Sequence, residues 1–197
     1  MPLGDGVIGD SPDQELVRRF KAGEEQAFSE LVRRHQGRLY GLAMRMVRES
    51  DDAADICQDV FVKAYQSLGS FREDSSVFTW LYRITLNYSV NHLRRKRLRE
   101  SIAVNMGFGW LMDREVGPER GLARDDVGAA VAQAVAKLPP RQRAVFVLRQ
   151  YEGLSHEEIA QTLSRSVGAV KANYFHAVKR LQRELEGYQR YIAEGQL

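Results

Sequence analysis

The fold follows from one stretch of the sequence, which reads Ser155-His156-Glu157-Glu158-Ile159-Ala160-Gln161-Thr162-Leu163-Ser164-Arg165-Ser166-Val167. Ser155 and Glu158 have the spacing of a capping box, in which each side chain satisfies a backbone N–H of the other residue at the start of a helix. A connection of three residues, 164–166, then leads into a longer amphipathic segment. A short helix, a tight turn and a longer helix are typical of the helix-turn-helix motif.

The longer segment separates its apolar and polar residues onto opposite sides. At about 100° per residue, a buried stripe is expected along Val170, Tyr174, Ala177 and Leu181. The opposite side would face a DNA major groove, and it carries Ala172, Phe175, His176, Lys179 and Arg183, with Lys171 at its flank. Cations there can neutralise phosphates, and rings can touch base edges. A plain helical hairpin with a solvated basic face is the alternative interpretation.

Helical spacing of apolar residues continues through most of the chain, and no segment sustains the alternation of a half-buried strand. The fold class is therefore predicted to be all-α. The expected helices run from an N-cap at Ser11 to Gly23, from Glu24 to Val47, from an N-cap at Ser50 to Leu68, from Ser75 to Arg99, from Ala129 to Leu138, and from Arg141 to Tyr151.

Residues 101–128 differ from the rest because glycines interrupt them and no helical stripe persists. They are predicted to form an irregular linker that contains an apolar island at Phe108, Trp110 and Leu111. A loop that docks on its own domains is the alternative for this segment.

The composition is that of a globular protein. Among 197 residues the hydrophobic fraction is 44% and the charged fraction 28%, which argues against wholesale disorder. No run approaches the roughly 18 apolar residues that span a bilayer, and no secretory signal is visible, so we expect a cytoplasmic protein without direct membrane insertion. The one cysteine, Cys57, excludes an intramolecular disulfide, and its place near the apolar stripe predicts a buried, inert thiol.

Positive charge is concentrated in two segments. Residues 71–100 carry 7 basic and 3 acidic side chains, and residues 137–185 carry 9 and 4, whereas residues 101–128 between them carry 3 and 5. This distribution indicates two contacts with one polyanion, although solvated helix faces would also produce it. The first segment interleaves aromatic residues with arginines, as in surfaces that hold unstacked bases; aromatics at this spacing also build cores.

Three motifs occur along the chain in a fixed order. Residues 58–65 read Gln-Asp-Val-Phe-Val-Lys-Ala-Tyr; Ser-Phe-Arg at 70–72 precedes Thr-Trp-Leu-Tyr-Arg-Ile at 79–84; and Leu-Pro at 138–139 precedes Glu-Gly-Leu-Ser-His-Glu-Glu-Ile-Ala at 152–160. Together they resemble the bacterial extracytoplasmic-function (ECF) sigma factors of the sigma-70 superfamily. The resemblance extends from about Asp13 to Leu185, with the linker unmatched.

The resemblance implies two small helical domains joined by an irregular, flexible linker. An N-terminal tail at 1–10 would precede a region 2 helical bundle at 11–100, and the linker at 101–128 would lead to region 4 at 129–188, which holds the helix-turn-helix. A tail at 189–197 would follow, without a further domain. Such proteins bind core RNA polymerase, recognise the −35 and −10 promoter elements and melt the DNA by binding and deformation, with no covalent catalysis and no metal or other cofactor.

The family's functional positions can be carried over residue by residue. The surface that binds the clamp helices of the largest polymerase subunit would contain Asp55, Gln58, Asp59 and Lys63. The pocket for a base extruded from the −10 element would contain Phe71, Tyr82, Ile84 and Asn87, with Trp80 in strand separation and Arg94, Arg95, Lys96 and Arg97 on phosphates. Contacts to the −35 element would involve Arg149, Lys171, Ala172, Asn173, Phe175, His176 and Lys179. The polymerase flap and an anti-sigma factor are further implied partners.

The −35 positions depart from the usual family pattern. Many members carry a small hydroxyl residue followed by arginine and a second arginine three residues later, where this chain has Ala172, Asn173 and His176. Neither an amide nor an imidazole gives the charged bidentate contact of arginine with guanine. The resemblance therefore does not specify a standard −35 sequence.

Two other functions fit parts of the sequence. Asp51, Asp52 and Asp55 spell DDxxD, which can hold magnesium on a diphosphate substrate, but no second acidic cluster accompanies it, and His156-Glu157 lacks the second histidine of a zinc protease motif. An enzyme is therefore not expected. The stronger alternative is a helix-turn-helix regulator that binds duplex DNA without docking on polymerase.

Overall fold

The computed structural model describes residues 12–72, 75–105 and 126–193, and every regular element in these ranges is a helix. The helices are α1 (Pro12–Lys21), α2 (Glu25–Val47), α3 (Ser50–Leu68), α4 (Val77–Asn105), α5 (Asp126–Lys137), α6 (Pro140–Gln150), α7 (His156–Leu163) and α8 (Val167–Ala193). The all-α prediction is confirmed. The predicted cap at Ser11 and the apolar island at Phe108, Trp110 and Leu111 lie outside the described residues.

The ends of several helices differ from the predicted ends. Ser50 does not cap α3: it is the first helical residue, and Glu49 holds the N-cap position without a side-chain hydrogen bond. The fourth helix begins after Ser76, whose Oγ accepts a hydrogen bond from the Thr79 N–H at 3.1 Å, and it continues to Asn105 instead of ending at Arg99. Adding a residue to an existing helix gives one hydrogen bond for each residue fixed, which favours this continuation.

The predicted linker at 101–128 is therefore too long at both ends. Residues 101–105 belong to α4, and α5 already begins at Asp126. Gly128 lies inside α5, where a glycine costs about 1 kcal/mol relative to alanine. Only residues 106–125 separate the two helices.

Helices α1–α4 form an N-terminal bundle around a continuous apolar core. Its fully buried side chains lie on the faces that the 3.6-residue period predicted, among them Leu39, Met46, Val60 and Leu86. A buried polar contact fixes α1 to α2, because His35 Nε2 lies 2.8 Å from Asp13 Oδ2 and Arg34 donates to the other oxygen of that carboxylate at 2.7 Å.

Helices α5–α8 form a C-terminal bundle that packs directly on the N-terminal bundle. Helix α5 packs on α8. Its buried residues Ala134 and Val135, with Leu138 directly after the helix, pack against Ala177 and Leu181 of α8. Buried side chains of α6, α7 and α8 share one hydrophobic cluster with helices α1–α4. The described parts of the two bundles therefore lie against each other, and not apart as a flexible tether alone would leave them.

Candidate nucleic-acid interface

The helix-turn-helix is built by local hydrogen bonds. The Ser155 Oγ accepts from the Glu158 N–H at 3.1 Å, and the Ser155 N–H donates to Glu158 Oε2 at 2.7 Å, so the predicted capping box is confirmed. These bonds from the Ser155 backbone and side chain lower the pKa of Glu158. Ser164 ends α7 in the left-handed conformation with φ 51°, and the Ser166 Oγ accepts from the Ala169 N–H at 3.2 Å at the start of α8.

The sequence correctly separated the two sides of α8. Val170, Ala177 and Leu181 are buried, and the ring of Phe175 is 61% exposed on the other side. We call the exposed set the α8 surface; it consists of Lys171, Ala172, Phe175, His176, Lys179 and Arg183. An apolar ring so exposed beside two lysines is suited to contact with a groove that offers both phosphates and base methyl groups.

Two further residues predicted for the −35 contact have partners inside the chain. Asn173 is half-buried, and its amide nitrogen donates to the Ala169 carbonyl at 2.8 Å, one turn earlier in α8. Arg149 donates to the Leu154 carbonyl at 2.8 Å. The Arg149 contact fixes the connection between α6 and α7, so this guanidinium contributes to the position of the helix-turn-helix.

One face of α4 gathers several of the residues predicted for the −10 element. At about 100° per residue, Ile84, Asn87 and Arg94 lie within about 40° of Trp80 around the helix axis. Trp80 and Ile84 are partly exposed, and Asn87 and Arg94 are exposed. We call these four residues the α4 surface. Phe71 lies under it, because its ring centroid is 5.0 Å from that of Trp80 and the side chain is only 7% exposed.

Tyr82 does not join the α4 surface. It lies on the opposite side of the helix, is 1% exposed, and packs on Phe78 with ring centroids 4.1 Å apart. Its hydroxyl donates to Glu152 Oε2 at 2.9 Å. Burial and the neighbouring Glu152 carboxylate raise the pKa of Tyr82 well above the ordinary range. In this arrangement the side chain is not accessible to a base.

The basic run at the end of α4 divides into two pairs. Lys96 Nζ lies 3.9 Å from Glu49 Oε1 and 3.6 Å from Asp52 Oδ2, and Arg97 donates to the Leu138 carbonyl at 2.9 Å. Arg94 and Arg95 are exposed and have no polar side-chain contact within the described residues. These two arginines are the cations of the run that are available to phosphates.

A polar stripe runs along the exposed side of α3. We call it the α3 stripe; it consists of Asp55, Gln58, Asp59 and Lys63, all of them exposed and without a polar partner in the described part of the chain. Val62 lies beside it with 51% of its side chain exposed, and Tyr65 is 44% exposed. The sequence analysis did not select these two residues. Both lie outside the buried stripe of α3, so the helical spacing could have predicted their exposure.

One aspartate of the DDxxD segment, Asp52, is held by contacts within the bundle. His92 Nε2 lies 2.9 Å from Asp52 Oδ2, which Lys96 also approaches. Across the ranges that the structure describes, no three histidine, cysteine or acidic side chains lie close enough together to hold a metal ion. Cys57 is half-buried, and burial raises the pKa of its thiol. Within the same ranges, no helix combines the length and apolar composition required to cross a bilayer.

These features define a class of protein: an all-helical DNA-binding protein whose C-terminal part carries a helix-turn-helix. Comparison with models of known protein families identifies the family within this class. The family model of Sigma-70 region 2 matches residues 31–99, and that of Sigma-70, region 4 matches residues 128–181. The RNA polymerase sigma-H factor of Pseudomonas aeruginosa is 38% identical over 188 residues, which cover 91% of this chain and 97% of that protein.

A second sequence relative and two solved structures indicate the same family. The ECF RNA polymerase sigma-E factor of Escherichia coli is 35% identical over 181 residues, which cover 88% of this chain and 94% of that protein. The solved structure of CnrH in complex with the cytosolic domain of CnrY has a TM-score of 0.63 and 28% identity, and covers 90% of this chain and 99% of CnrH. The fold is also that of the sigma factor RpoE of Bartonella quintana in complex with the anti-sigma factor NepR, at a TM-score of 0.59 and 22% identity over 81% of this chain. The chain belongs to the ECF branch of the sigma-70 family and is an RNA polymerase sigma factor.

Proposed function

We propose that the α3 stripe binds core RNA polymerase and thereby makes the chain a subunit of the initiating enzyme. The observation that carries this proposal is that four polar side chains on one helix side have no partner within the described chain, while Val62 and Tyr65 beside them are exposed. Exposed apolar and aromatic side chains bordered by polar ones are the composition of a protein-binding surface, which has an apolar centre and a polar rim. A free DNA-binding regulator would not need it.

The α4 surface is proposed to bind the −10 element as a single strand. Removing a base from the stack costs a few kcal/mol, and stacking it on an aromatic side chain returns about 1–3 kcal/mol. Trp80 offers a ring, Asn87 offers an amide that can pair with a base edge, and Arg94 and Arg95 can hold phosphates. Melting then needs no nucleotide hydrolysis. Phe71 supports Trp80 from below, whereas Tyr82 would take part only after its hydrogen bond with Glu152 opens.

The α8 surface is proposed to enter the major groove at the −35 element. Lys171 and Lys179 would neutralise phosphates, and Phe175 and His176 would touch base edges and methyl groups. Since neither Asn173 nor His176 gives the charged bidentate contact that arginine makes with guanine, guanine contacts at these two positions are not expected. Arg149 would act here by holding the connection that positions α7.

We further propose that the chain functions in the cytoplasm and that an anti-sigma factor binds it and can hold it at the membrane. Support comes from the two solved relatives, one bound to the cytosolic domain of CnrY and one to the anti-sigma factor NepR. The polymerase flap is proposed as the second contact of the polymerase, on the C-terminal bundle.

Reconstitution with core polymerase tests the proposal against the polymerase-independent regulator. Purified chain is mixed with core enzyme and a bacterial genomic template, and transcript starts are mapped. We expect specific starts only when both components are present, with common sequences upstream at the two promoter elements. A chain that binds specific duplex sites by itself, and never starts a transcript with core enzyme, would be the regulator instead.

A further inference from the structure

The connection between α3 and α4 brings Phe71 under the α4 surface. The Phe71 ring is 7% exposed, and its centroid lies 5.0 Å from that of Trp80. The Phe71 N–H donates to the Leu68 carbonyl at 3.1 Å, and the Ser70 N–H and Oγ donate to the Ser67 carbonyl at 3.1 Å and 3.0 Å. These hydrogen bonds fix the N–H side of the turn to the end of α3.

The carbonyl side of the same turn is held from α1, which lies 50 residues earlier in the chain. Lys21, the last residue of α1, donates from Nζ to the Phe71 carbonyl at 2.9 Å, and the contact is partly buried. A hydrogen bond from a charged donor is stronger than one between neutral groups. The Phe71 peptide is therefore held on both sides, through its N–H by α3 and through its carbonyl by α1.

A lysine at the end of a helix also has a purely local explanation. Cations in the last turn interact favourably with the negative end of the helix dipole, and α1 carries Arg18, Arg19 and Lys21 there. The two arginines pair with acidic residues close to them in sequence, Glu15 and Glu24. Lys21 instead extends to a turn in another part of the bundle. The helix dipole alone does not explain this direction.

The end of α1 is a fixed point from which Lys21 can hold another segment. Gly23, two residues after the helix, has φ 98°, the left-handed conformation that commonly ends a helix and favours glycine. Phe20 packs against Phe28 of α2 and Tyr65 of α3, with ring centroids 5.7 Å and 5.3 Å apart. Two other helices thus fix the backbone that carries Lys21, so its side chain can transmit that position to the turn.

The position of Phe71 determines what a base meets on the α4 surface. The half-buried Trp80 ring rests on Phe71 at an interplanar angle of 49°, and an aromatic ring stabilises an unstacked base only when its face is presented to that base. We propose that Lys21 is a positioning residue for recognition of the −10 element, because it holds Phe71 under Trp80 and thereby orients the Trp80 ring. This inference rests on the proposed function of the α4 surface. Lys21 acts through Phe71 and needs no contact with DNA.

Three substitutions in the full-length chain separate the hydrogen bond from the charge. Lys21→Met keeps an unbranched side chain but removes the donor, whereas Lys21→Arg keeps both the charge and a donor. Arg33→Met is the matched control, because it removes the same charge from an exposed side chain that pairs with Glu30 within α2. All are made in a Trp110→Phe background, in which Trp80 is the one tryptophan of the chain. Circular dichroism confirms that each variant is folded.

The fluorescence of Trp80 in the free chain reports its packing on Phe71. A ring that loses this support is more exposed to water, so Lys21→Met should shift the emission maximum to longer wavelength and increase quenching by acrylamide. Lys21→Arg and Arg33→Met should keep the emission and the quenching of the unsubstituted background. A general loss of stability does not reproduce this pattern, because all spectra are taken on folded protein.

Transcription by the reconstituted holoenzyme reports the effect on recognition. Yields are measured from a promoter obtained by start-site mapping and from its single-base variants in the −10 element. Lys21→Met should reduce discrimination between these promoters about fivefold, the factor that corresponds to a loss of about 1 kcal/mol. The affinity for core enzyme, measured by fluorescence titration, should not change. Lys21→Arg should restore the discrimination.

A folded Lys21→Met variant that keeps the Trp80 emission and the −10 discrimination would overturn the proposal. An equal loss in Arg33→Met would also overturn it, since the effect would then come from charge alone, and so would lower discrimination with unchanged emission, since Lys21 would then act without Trp80. If Lys21→Met does not fold, Lys21→Ala is measured in the same way. A holoenzyme of the unsubstituted chain that starts no transcript would refute the proposed function, while the fluorescence would still show whether Lys21 holds Phe71 under Trp80.

Discussion

At the scale of single residues, Asn87 carries the most specific chemistry of the α4 surface. It is exposed, it has no polar partner within the described chain, and it lies on the same side of α4 as Trp80. An amide presents a donor and an acceptor together, which is what a base edge requires. In the proposed complex its neighbours hold the DNA, and Asn87 is the member of the set that can distinguish one base from another.

Replacing Asn87 with alanine should therefore change recognition without changing polymerase binding. We expect discrimination at one −10 position to fall by about 1–3 kcal/mol, the range for a bidentate amide contact, measured as transcript yields from a set of single-base promoter variants. Gln26→Ala removes an exposed amide from α2, away from the α4 surface, and is the matched control. Equal discrimination by N87A and the wild type would remove Asn87 from the pocket.

Asp13 predicts a pH dependence of stability. Burial alone would raise its pKa, but the hydrogen bonds from His35 and Arg34 outweigh burial and lower it. A carboxylate with a lowered pKa in the folded state stabilises the fold above its unfolded pKa and loses that contribution as the pH falls through the folded value. Asp13→Asn should lower the free energy of unfolding by about 1–2 kcal/mol at pH 7, and the difference from the wild type should shrink below about pH 4. Urea denaturation across pH checks this, and a pH-independent difference would contradict it.

At the scale of the helices, the sequence predicted what local chemistry determines. The capping box at Ser155 and the two sides of α8 follow from neighbouring residues, and both predictions are confirmed. Ser50 was predicted as a cap because serine favours that position, but Glu49 holds it. The continuation of α4 to Asn105 and the burial of Tyr82 were not predictable, since the first depends on cooperative extension of a helix and the second on a contact 70 residues away.

Ser155 caps a helix and Ser50 does not, and alanine substitution of each tests this assignment directly. Ser155→Ala should lower the free energy of unfolding by about 1 kcal/mol, because it removes the N-cap acceptor of α7. Ser50→Ala should change stability by less than about 0.5 kcal/mol, since its side chain caps nothing and is exposed. Chemical denaturation of both variants gives the comparison. A larger effect from S50A than from S155A would reverse the assignment of the caps.

The α3 stripe makes a prediction about partner binding. Removing both Asp55 and Asp59 by alanine substitution should weaken binding to core polymerase by about tenfold or more, equivalent to 1.4 kcal/mol, in a fluorescence titration. The control pair, Glu15→Ala with Glu24→Ala, removes two exposed charges from α1 and from the turn before α2, away from the α3 stripe, and should leave the affinity unchanged. An unaltered affinity of D55A/D59A would exclude these carboxylates from the interface.

At the scale of the whole molecule, the two bundles share one interface. Buried side chains of α6, α7 and α8 join the hydrophobic cluster of helices α1–α4. Polar contacts of Glu152, Arg83 and Arg143 cross the same interface, several of them to backbone carbonyls. The helix-turn-helix is therefore held against the bundle that carries the α3 stripe and the α4 surface.

Permanganate reactivity, which reports promoter opening, tests most directly the proposed function of the chain in melting the −10 element together with core polymerase. A promoter obtained by start-site mapping is treated with permanganate, which modifies unpaired thymines, in the presence of the chain alone, core polymerase alone, or both. We expect reactive thymines around the −10 element only when the chain and core polymerase are present together, without any added nucleotide. Reactivity with the chain alone, or a promoter that stays paired in the complete mixture, would contradict it.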